Sequence, residues 1–117
     1  MKQIIYILFL LVVNPLLAQQ SLKTITYNLQ GMKPGTNYQT RLYHIIQNLK
    51  ELNPDVIGLQ EINEIIGGGD STNMASIIAD SLSAYFDISY NWYYSITHIG
   101  WNEFYEGVGI ISKYPVE

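Results

Sequence analysis

A helical segment lies between two strand-like runs near the start of the chain. Residues 21–31 (SLKTITYNLQG) alternate apolar and polar positions and then reach a glycine, which predicts a strand followed by a turn. Residues 38–52 place apolar side chains at helical spacing, and residues 55–61 (DVIGLQE) form a short apolar run. Because the connection is long enough for a crossover, the two strands are predicted to be parallel neighbours in an α/β sheet.

The segment between these strands has the marks of a complete amphipathic helix. Thr36 or Asn37 can cap its first turn, and the turn signal Asn53-Pro54-Asp55 ends it. Its apolar stripe follows the spacing i, i+3, i+4, i+7 and consists of Leu42, Ile45, Ile46 and Leu49. This stripe is predicted to form one apolar face of the helix.

The rest of the chain is predicted to form a further helix and two further strands. Residues 65–73 (IIGGGDSTN) predict a glycine loop, and residues 74–86 predict a second helix. Residues 86–96 are rich in aromatic and β-branched side chains and predict a strand, residues 97–107 predict a loop, and residues 107–116 predict a buried strand ending in a proline turn. The four predicted strands are typical of the opening half of a larger domain.

The first 18 residues predict a secretion signal. Lys2 precedes an apolar run at residues 4–13, and Ala18 offers a cleavage point. That run of ten apolar residues is shorter than the roughly 20 that a membrane-spanning helix needs, so we expect no stable membrane anchor. Residues 19–117 would then form the mature chain, in the periplasm or outside the cell. The sequence has no cysteine, so a disulfide framework is excluded.

The net charge of the chain bears on whether it binds anionic or cationic ligands. The formal net charge is −4 at pH 7, so the chain has no obvious electrostatic footprint for a nucleic-acid backbone. An acidic protein can instead gather cations at a group of carboxylates.

Both early strands end on a polar side chain. The first ends on Asn28 and the second on Glu61. If the strands are parallel neighbours, both side chains lie at the carboxyl edge of the sheet, where open α/β folds bind ligands. A carboxylate on a buried strand is costly unless it is paired or bound to a metal, and these oxygen donors suit magnesium or calcium. The alternative is that Glu61 simply enters a solvated loop.

Three segments resemble one known family. TYNLQG (26–31), DVIGLQE (55–61) and EGVGIISKYPV (106–116) occur in the order and at the intervals of the endonuclease/exonuclease/phosphatase family. The resemblance covers roughly residues 22–117 and implies a deoxyribonuclease I-like fold, a four-layer α/β/β/α sandwich. It also implies that residues 19–117 are the N-terminal part of such a domain, corresponding to the front half of the family's domain.

The resemblance also implies a reaction and a site. The family hydrolyses phosphodiesters or phosphomonoesters, so the substrate would be a nucleic acid, a lipid headgroup or a small phosphodiester. Glu61 looks like the family's catalytic metal-binding glutamate, which usually holds Mg²⁺, with Mn²⁺ or Ca²⁺ as alternatives. Asn28 resembles the asparagine that positions metal and phosphate. Gly107, Gly109 and Ser112 match a mainly structural strand.

The family's remaining catalytic groups have no counterpart in the sequence. The resemblance implies that the catalytic histidine, an Asp-x-Asn pair and a closing Ser-Asp-His come from the back half of the domain. We therefore expect that this chain alone does not hydrolyse phosphate esters. His44 is expected on the helix surface and His98 in a loop nearer the presumed active edge. A non-catalytic secreted binding module and a truncated remnant of the fold stay open as alternatives.

Other polar and aromatic residues have plainer interpretations. GGGDS (67–71) lacks the lysine of a phosphate-binding P-loop and predicts a flexible loop, and Asp70 and Glu64 are expected to be solvated charges or caps. Glu103 and Glu106 are likewise expected to be solvated. The strand aromatics are expected to fill the core, whereas two loop aromatics are the better surface candidates. The strand set is Tyr90, Trp92, Tyr93 and Tyr94, and the loop set is Trp101 and Tyr105.

Overall fold

A computed structural model describes residues 21–65 and 73–116 of the chain. The predicted signal at residues 1–18 and the GGGDS segment with Asp70 lie outside this range. The elements in chain order are β1 (Thr24–Asn28), α1 (Tyr38–Leu52), β2 (Val56–Ile65), α2 (Met74–Phe86), β3 (Asn91–Gly100) and β4 (Phe104–Ser112).

The strands form one mixed sheet with the order β1-β2-β4-β3. β1 and β2 are parallel, in a register that runs from Thr24 opposite Val56 to Asn28 opposite Gln60, and the other two pairs are antiparallel. The predicted parallel crossover is therefore confirmed. Both helices share one apolar core with the sheet. Neither helix in the described part of the chain has the length and apolar character needed to cross a bilayer.

Helix α1 forms over the predicted residues. The Asn37 side chain caps it by accepting a hydrogen bond from the Thr40 N–H at 3.0 Å. Asn53 ends it in a left-handed conformation and donates its N–H to the Leu49 carbonyl at 2.9 Å. The four predicted apolar positions are all buried. Each such side chain contributes about 2 kcal/mol by leaving water, which holds the helix in the apolar core that it shares with the sheet.

The aromatic region differs from its predicted structure. Helix α2 runs to Phe86 and ends at the left-handed Asp87, so β3 starts at Asn91 rather than at residue 86. Residues 97–107 are not a loop, because β3 continues to Gly100 and β4 begins at Phe104. The reason is tertiary: each strand completes its hydrogen bonds with the other, and this pairing is not encoded in local propensity.

The glycines of β4 allow its neighbours to approach closely. A Cβ atom at Gly107 would lie 2.0 Å from the Ser95 carbonyl oxygen, and one at Gly109 would lie 2.6 Å from that of Tyr93. This confirms the structural interpretation of the two glycines. The strand is not buried throughout, because Ile111 is buried while Val108, which points to the other face, is exposed.

The aromatic side chains divide between core and surface. Tyr90 is buried and donates its hydroxyl to the Pro54 carbonyl at 2.9 Å. Tyr94 donates to the Tyr105 carbonyl at 3.0 Å, and burial, together with the nearby carboxylates, raises the pKa of Tyr94 to about 12. Trp92 and Tyr93 are exposed, so the expectation that all four strand aromatics fill the core is wrong for these two.

An ion pair holds the amino edge of the sheet. Lys113 Nζ lies 2.9 Å from Asp55 Oδ1, and the Lys23 backbone N–H donates to Asp55 Oδ2 at 2.8 Å. The Lys23 N–H and then Lys113 hold the pKa of Asp55 below its ordinary value of 3.8. Burial opposes the charged form of Lys113, but its contacts with Asp55 and Tyr90 leave the pKa of the lysine raised. Asn28 and Glu61 lie at the other end of the β1–β2 pairing.

Candidate functional site

Asn28 and Glu61 meet where the parallel pairing of β1 and β2 stops, at Asn28 opposite Gln60. The prediction that the second strand ends on Glu61 is wrong, because β2 continues through a bulge to Ile65 and pairs there with β4. Asn28 is the last residue of β1, and its Nδ2 donates a hydrogen bond of 2.8 Å to Glu61 Oε1 on β2. The structure thus brings together the two residues that the sequence singled out. Glu61 is half-buried and hydrogen-bonded, so the expectation of a purely solvated loop carboxylate does not describe it.

A β-bulge sets the direction of the Glu61 side chain. Leu59 is opposite Gly109 and Ile62 is opposite Gly107, so two residues of β2 face the single residue Val108 of β4. Within this bulge Glu61 has a φ of 52°, a left-handed conformation that costs a residue with a Cβ on the order of 1 kcal/mol. Bulges commonly re-aim a side chain beside an active site. Here the bulge turns a strand carboxylate towards the end of β1.

The loop after β1 fixes the orientation of the Asn28 amide. Its Oδ1 accepts a hydrogen bond from the Gln30 backbone N–H at 2.8 Å. Gln30 and Gly31 both have positive φ angles, which turn the chain back towards the amide. Because the oxygen faces an N–H donor and the nitrogen faces a carboxylate, both ends of the amide are assigned by their partners. Asn28 therefore acts on Glu61 as a donor.

Arg41 holds the same loop from the side of helix α1. Its Nε donates to the Leu29 carbonyl at 3.1 Å, and its Nη2 donates to the Gly31 carbonyl at 2.6 Å. The guanidinium therefore fixes backbone beside the site. No sequence pattern indicates this role, because an arginine within a helix carries no local signal of which carbonyls it will meet.

A second carboxylate, Glu106, belongs to the same edge. Glu106 Oε2 accepts from Asn63 Nδ2 at 3.2 Å, and Glu106 Oε1 lies 3.2 Å from His98 Nε2. Asn63 is fully buried, and its amide oxygen accepts the Met32 backbone N–H. The Glu106 side chain is only 16% exposed, so the expectation of a solvated acid is wrong. His98 lies on β3 rather than in a loop.

Glu61, His98 and Glu106 border a cleft of about 420 Å³. Its lining residues are Glu61, His98, Ile99, Gly100, Trp101 and Glu106. The cleft combines two carboxylates with an imidazole and an exposed indole, and none of its described lining residues is a lysine or an arginine. Glu64 is half-buried and is not one of the residues that line this cleft.

The donor set fits a hard divalent ion that keeps most of its water. Within residues 21–65 and 73–116, no three histidine, aspartate or glutamate side chains stand close enough together to form a metal cage. Magnesium needs no such cage, because it commonly binds one or two carboxylates and completes its octahedron with water and phosphate. Glu61 Oε2 accepts no hydrogen bond from any described residue and is the oxygen available to such an ion.

The fold and this site define an α/β protein with paired polar groups at the point where the parallel pairing of two strands stops. The sequence model of the Endonuclease/Exonuclease/phosphatase family matches residues 25–117, and the chain belongs to that family. Members of the family act on phosphate esters and typically use divalent metal ions. No curated protein matches the sequence.

A solved structure is similar to the chain in fold. It is an endonuclease/exonuclease/phosphatase family protein from Leptotrichia buccalis C-1013-b, with 23% sequence identity and a TM-score of 0.71. The match covers 83% of this chain and 39% of that one. At this identity the likeness establishes the deoxyribonuclease I-like fold. The chain spans well under half of that structure, and its described residues form the helix-covered sheet of the predicted sandwich.

Proposed function

We propose that the chain is the N-terminal part of a secreted, divalent-metal-dependent phosphoesterase that hydrolyses phosphodiester or phosphomonoester bonds. The observation that carries this proposal is the 2.8 Å hydrogen bond from Asn28 to Glu61 at the edge of two parallel strands. It holds a half-buried carboxylate in one orientation and leaves Glu61 Oε2 without a hydrogen bond from any described residue. Family membership supports the reaction class.

The proposed roles follow from these contacts. Glu61 would hold Mg²⁺ through the oxygen that Asn28 does not use, and Asn28 would keep the carboxylate from rotating. Asn28 would also help to position the phosphate, as the resemblance implies. When bound, the ion neutralises charge on the phosphate oxygens and on the leaving oxygen.

The charge of the cleft supports dependence on a cation. Glu61 and Glu106 lie in its wall, and the described lining includes no lysine or arginine. Nearby Arg41 already donates to loop carbonyls. Two carboxylates repel a phosphate, so an anionic ester would bind here only after a cation has compensated them. Mn²⁺ or Ca²⁺ could take the same place as Mg²⁺ in such a site.

Secretion is part of the proposal and rests on the sequence pattern of residues 1–18. An exported enzyme with this chemistry would act on phosphate esters outside the cytoplasm. Mass determination of the exported protein tests this point, because cleavage after Ala18 would give a mature chain that starts at Gln19.

Titration calorimetry of the purified protein with Mg²⁺ tests the metal site. We expect Glu61→Gln to weaken Mg²⁺ binding at least about tenfold, because the amide lacks the charge that attracts the ion. Glu51→Gln is the matched control, since Glu51 is an exposed glutamate near the end of helix α1. Equal Mg²⁺ affinity in the protein and in Glu61→Gln would contradict the proposal. Ligand binding without any metal dependence would favour the non-catalytic binding module.

A further inference from the structure

The hairpin between β3 and β4 has an unusual residue at its tip. The Glu103 N–H donates to the Gly100 carbonyl at 3.1 Å, and the two residues between them both have positive φ angles, 54° at Trp101 and 57° at Asn102. Positive φ at both central positions is the requirement of a type I′ turn, which strongly favours Asn-Gly or Gly-Gly. Asparagine tolerates this conformation, but a bulky side chain such as tryptophan is an outlier in it.

Packing does not explain the tryptophan. Its side chain is 59% exposed and lies outside the apolar core. Among the described residues it has no ring contact and no hydrogen bond through its side chain. The unfavourable backbone conformation of Trp101 is therefore not offset by a ring contact or a hydrogen bond of its own side chain within the described protein. Strained residues that persist in this way cluster at functional sites.

The position of the indole points to a ligand. Trp101 shares the wall of the cleft with Glu61 and Glu106. The base of the turn lies next to the site, since a Cβ atom at Gly100 would lie 3.0 Å from Glu106 Oε2. The hairpin thus presents a large aromatic surface beside the carboxylates at which we place the metal and the phosphate.

We propose that Trp101 is a specificity-determining residue that stacks on the nucleobase of a mononucleotide-like phosphate ester. This inference rests on the proposed function, because it needs the phosphate to be held near Glu61. The cleft has the size of a small-ligand site, and its acidic wall disfavours a long polyanion and an anionic lipid surface. A single exposed indole stacks on one flat ring and gives tight binding only to an ester that carries such a ring.

Fluorescence titration tests the inference. Trp92 borders a separate cleft, so Trp92→Phe leaves Trp101 as the only fluorescent indole. This protein is titrated in Mg²⁺ with adenosine 5′-monophosphate and with ribose 5-phosphate, which lacks the base, and is excited where adenine does not absorb. We expect the nucleotide to quench the fluorescence and to bind about tenfold more tightly than the sugar phosphate.

Variants in the turn separate ligand binding from folding. Trp101→Gly, followed by calorimetry, should bind both esters equally while its melting temperature stays the same or rises, because glycine suits a positive φ. Asn102→Gly is the matched control and should keep the preference. Trp101→Phe should keep part of the preference for the nucleotide, because it retains an aromatic ring. This variant replaces Trp101→Gly in the test if the glycine variant folds poorly.

The outcomes separate the two proposals. Equal binding of the two esters to the parent protein, or an unchanged preference in Trp101→Gly, would overturn the stacking role and leave the metal site intact. Association of Trp101 with phosphatidylcholine vesicles without a preference for the nucleotide would replace it with a lipid surface. If neither ester binds in a Mg²⁺-dependent manner, the proposed function fails together with the inference.

Discussion

Asn28 and Glu61 lie 33 residues apart in the chain and are joined by a 2.8 Å hydrogen bond across two parallel strands. The amide nitrogen of Asn28 donates to the carboxylate, while its oxygen accepts the Gln30 backbone N–H. One side chain therefore couples the conformation of the loop after β1 to the orientation of the carboxylate on β2. This coupling makes Asn28 the first residue to change when the site is tested.

Asn28→Ala should weaken Mg²⁺ binding about tenfold, which is at the low end of the effect of groups that orient a metal ligand. The physical reason is that the Glu61 carboxylate loses its donor and becomes free to rotate. Asn28 is exposed, so the fold should survive. Calorimetric Mg²⁺ titration measures the change. Asn91→Ala is the control, because exposed Asn91 also donates a hydrogen bond but borders a different cleft. An affinity equal to that of the unmodified protein would show that Glu61 does not depend on Asn28.

Asn63→Ala should lower the free energy of unfolding by about 2 kcal/mol, since a buried N–H without an acceptor costs that order of energy. The affected donor is the Met32 N–H, and Glu106 also loses the amide that donates to it. Urea denaturation monitored by circular dichroism gives the difference. Asn48→Ala, on the exposed side of α1, should change stability by less than about 0.5 kcal/mol. Similar losses in the two variants would argue against a special role for Asn63.

Gly107→Ala should destabilise the sheet by about 3 kcal/mol or more, because the new methyl group would overlap the Ser95 carbonyl and force β3 and β4 apart. Thermal unfolding is the measurement. Gly58→Ala is the matched control in β2, where the nearest atom to the new methyl group would be the Ile25 carbonyl oxygen at 4.0 Å. If Gly107→Ala and Gly58→Ala have the same melting temperature, β3 and β4 can make room for the methyl group without a loss of stability.

The free energy of unfolding should fall in acid because Asp55 becomes protonated. Its pKa in the folded protein lies below the ordinary 3.8, mainly because of the Lys23 N–H and secondarily because of Lys113. A lowered carboxyl pKa contributes stability that is complete above about pH 5 and is lost as the pH falls through 3.8 towards the folded value. Asp55→Asn should therefore flatten the acid side of a plot of unfolding free energy against pH. The comparison needs denaturation at several pH values between about 2 and 7.

Two further variants check the origin of that acid dependence. Asp80→Asn changes an exposed aspartate of helix α2 and should leave the slope as it was. Lys113→Met should reduce the slope only in part, because the Lys23 N–H still donates to Asp55. An undiminished acid slope in Asp55→Asn would place the titrating group elsewhere.

Local sequence patterns anticipated much of the fold. The periodicity of residues 38–52 and 74–86 predicted both helices to the residue, because their apolar stripes and caps are local properties. The hairpin of β3 and β4 was not predicted from the sequence. His98 and Trp101 lie in a segment without helical or alternating apolar order, and the backbone partners that make it a strand and a tight turn come from elsewhere in the chain.

The sequence by itself determined that Asn28 and Glu61 lie on two neighbouring strands, since strand, helix and strand follow one another within a short span. It misplaced the end of the second strand, because β2 continues past Glu61 to Ile65. Only the tertiary structure decided what surrounds them. The bulge that turns Glu61, the Asn63 amide that bonds Glu106 and the hairpin that carries Trp101 all depend on the register between β2, β4 and β3. A register is a relation between distant segments, and the free energy that selects it comes from packing and hydrogen bonds that no single segment contains.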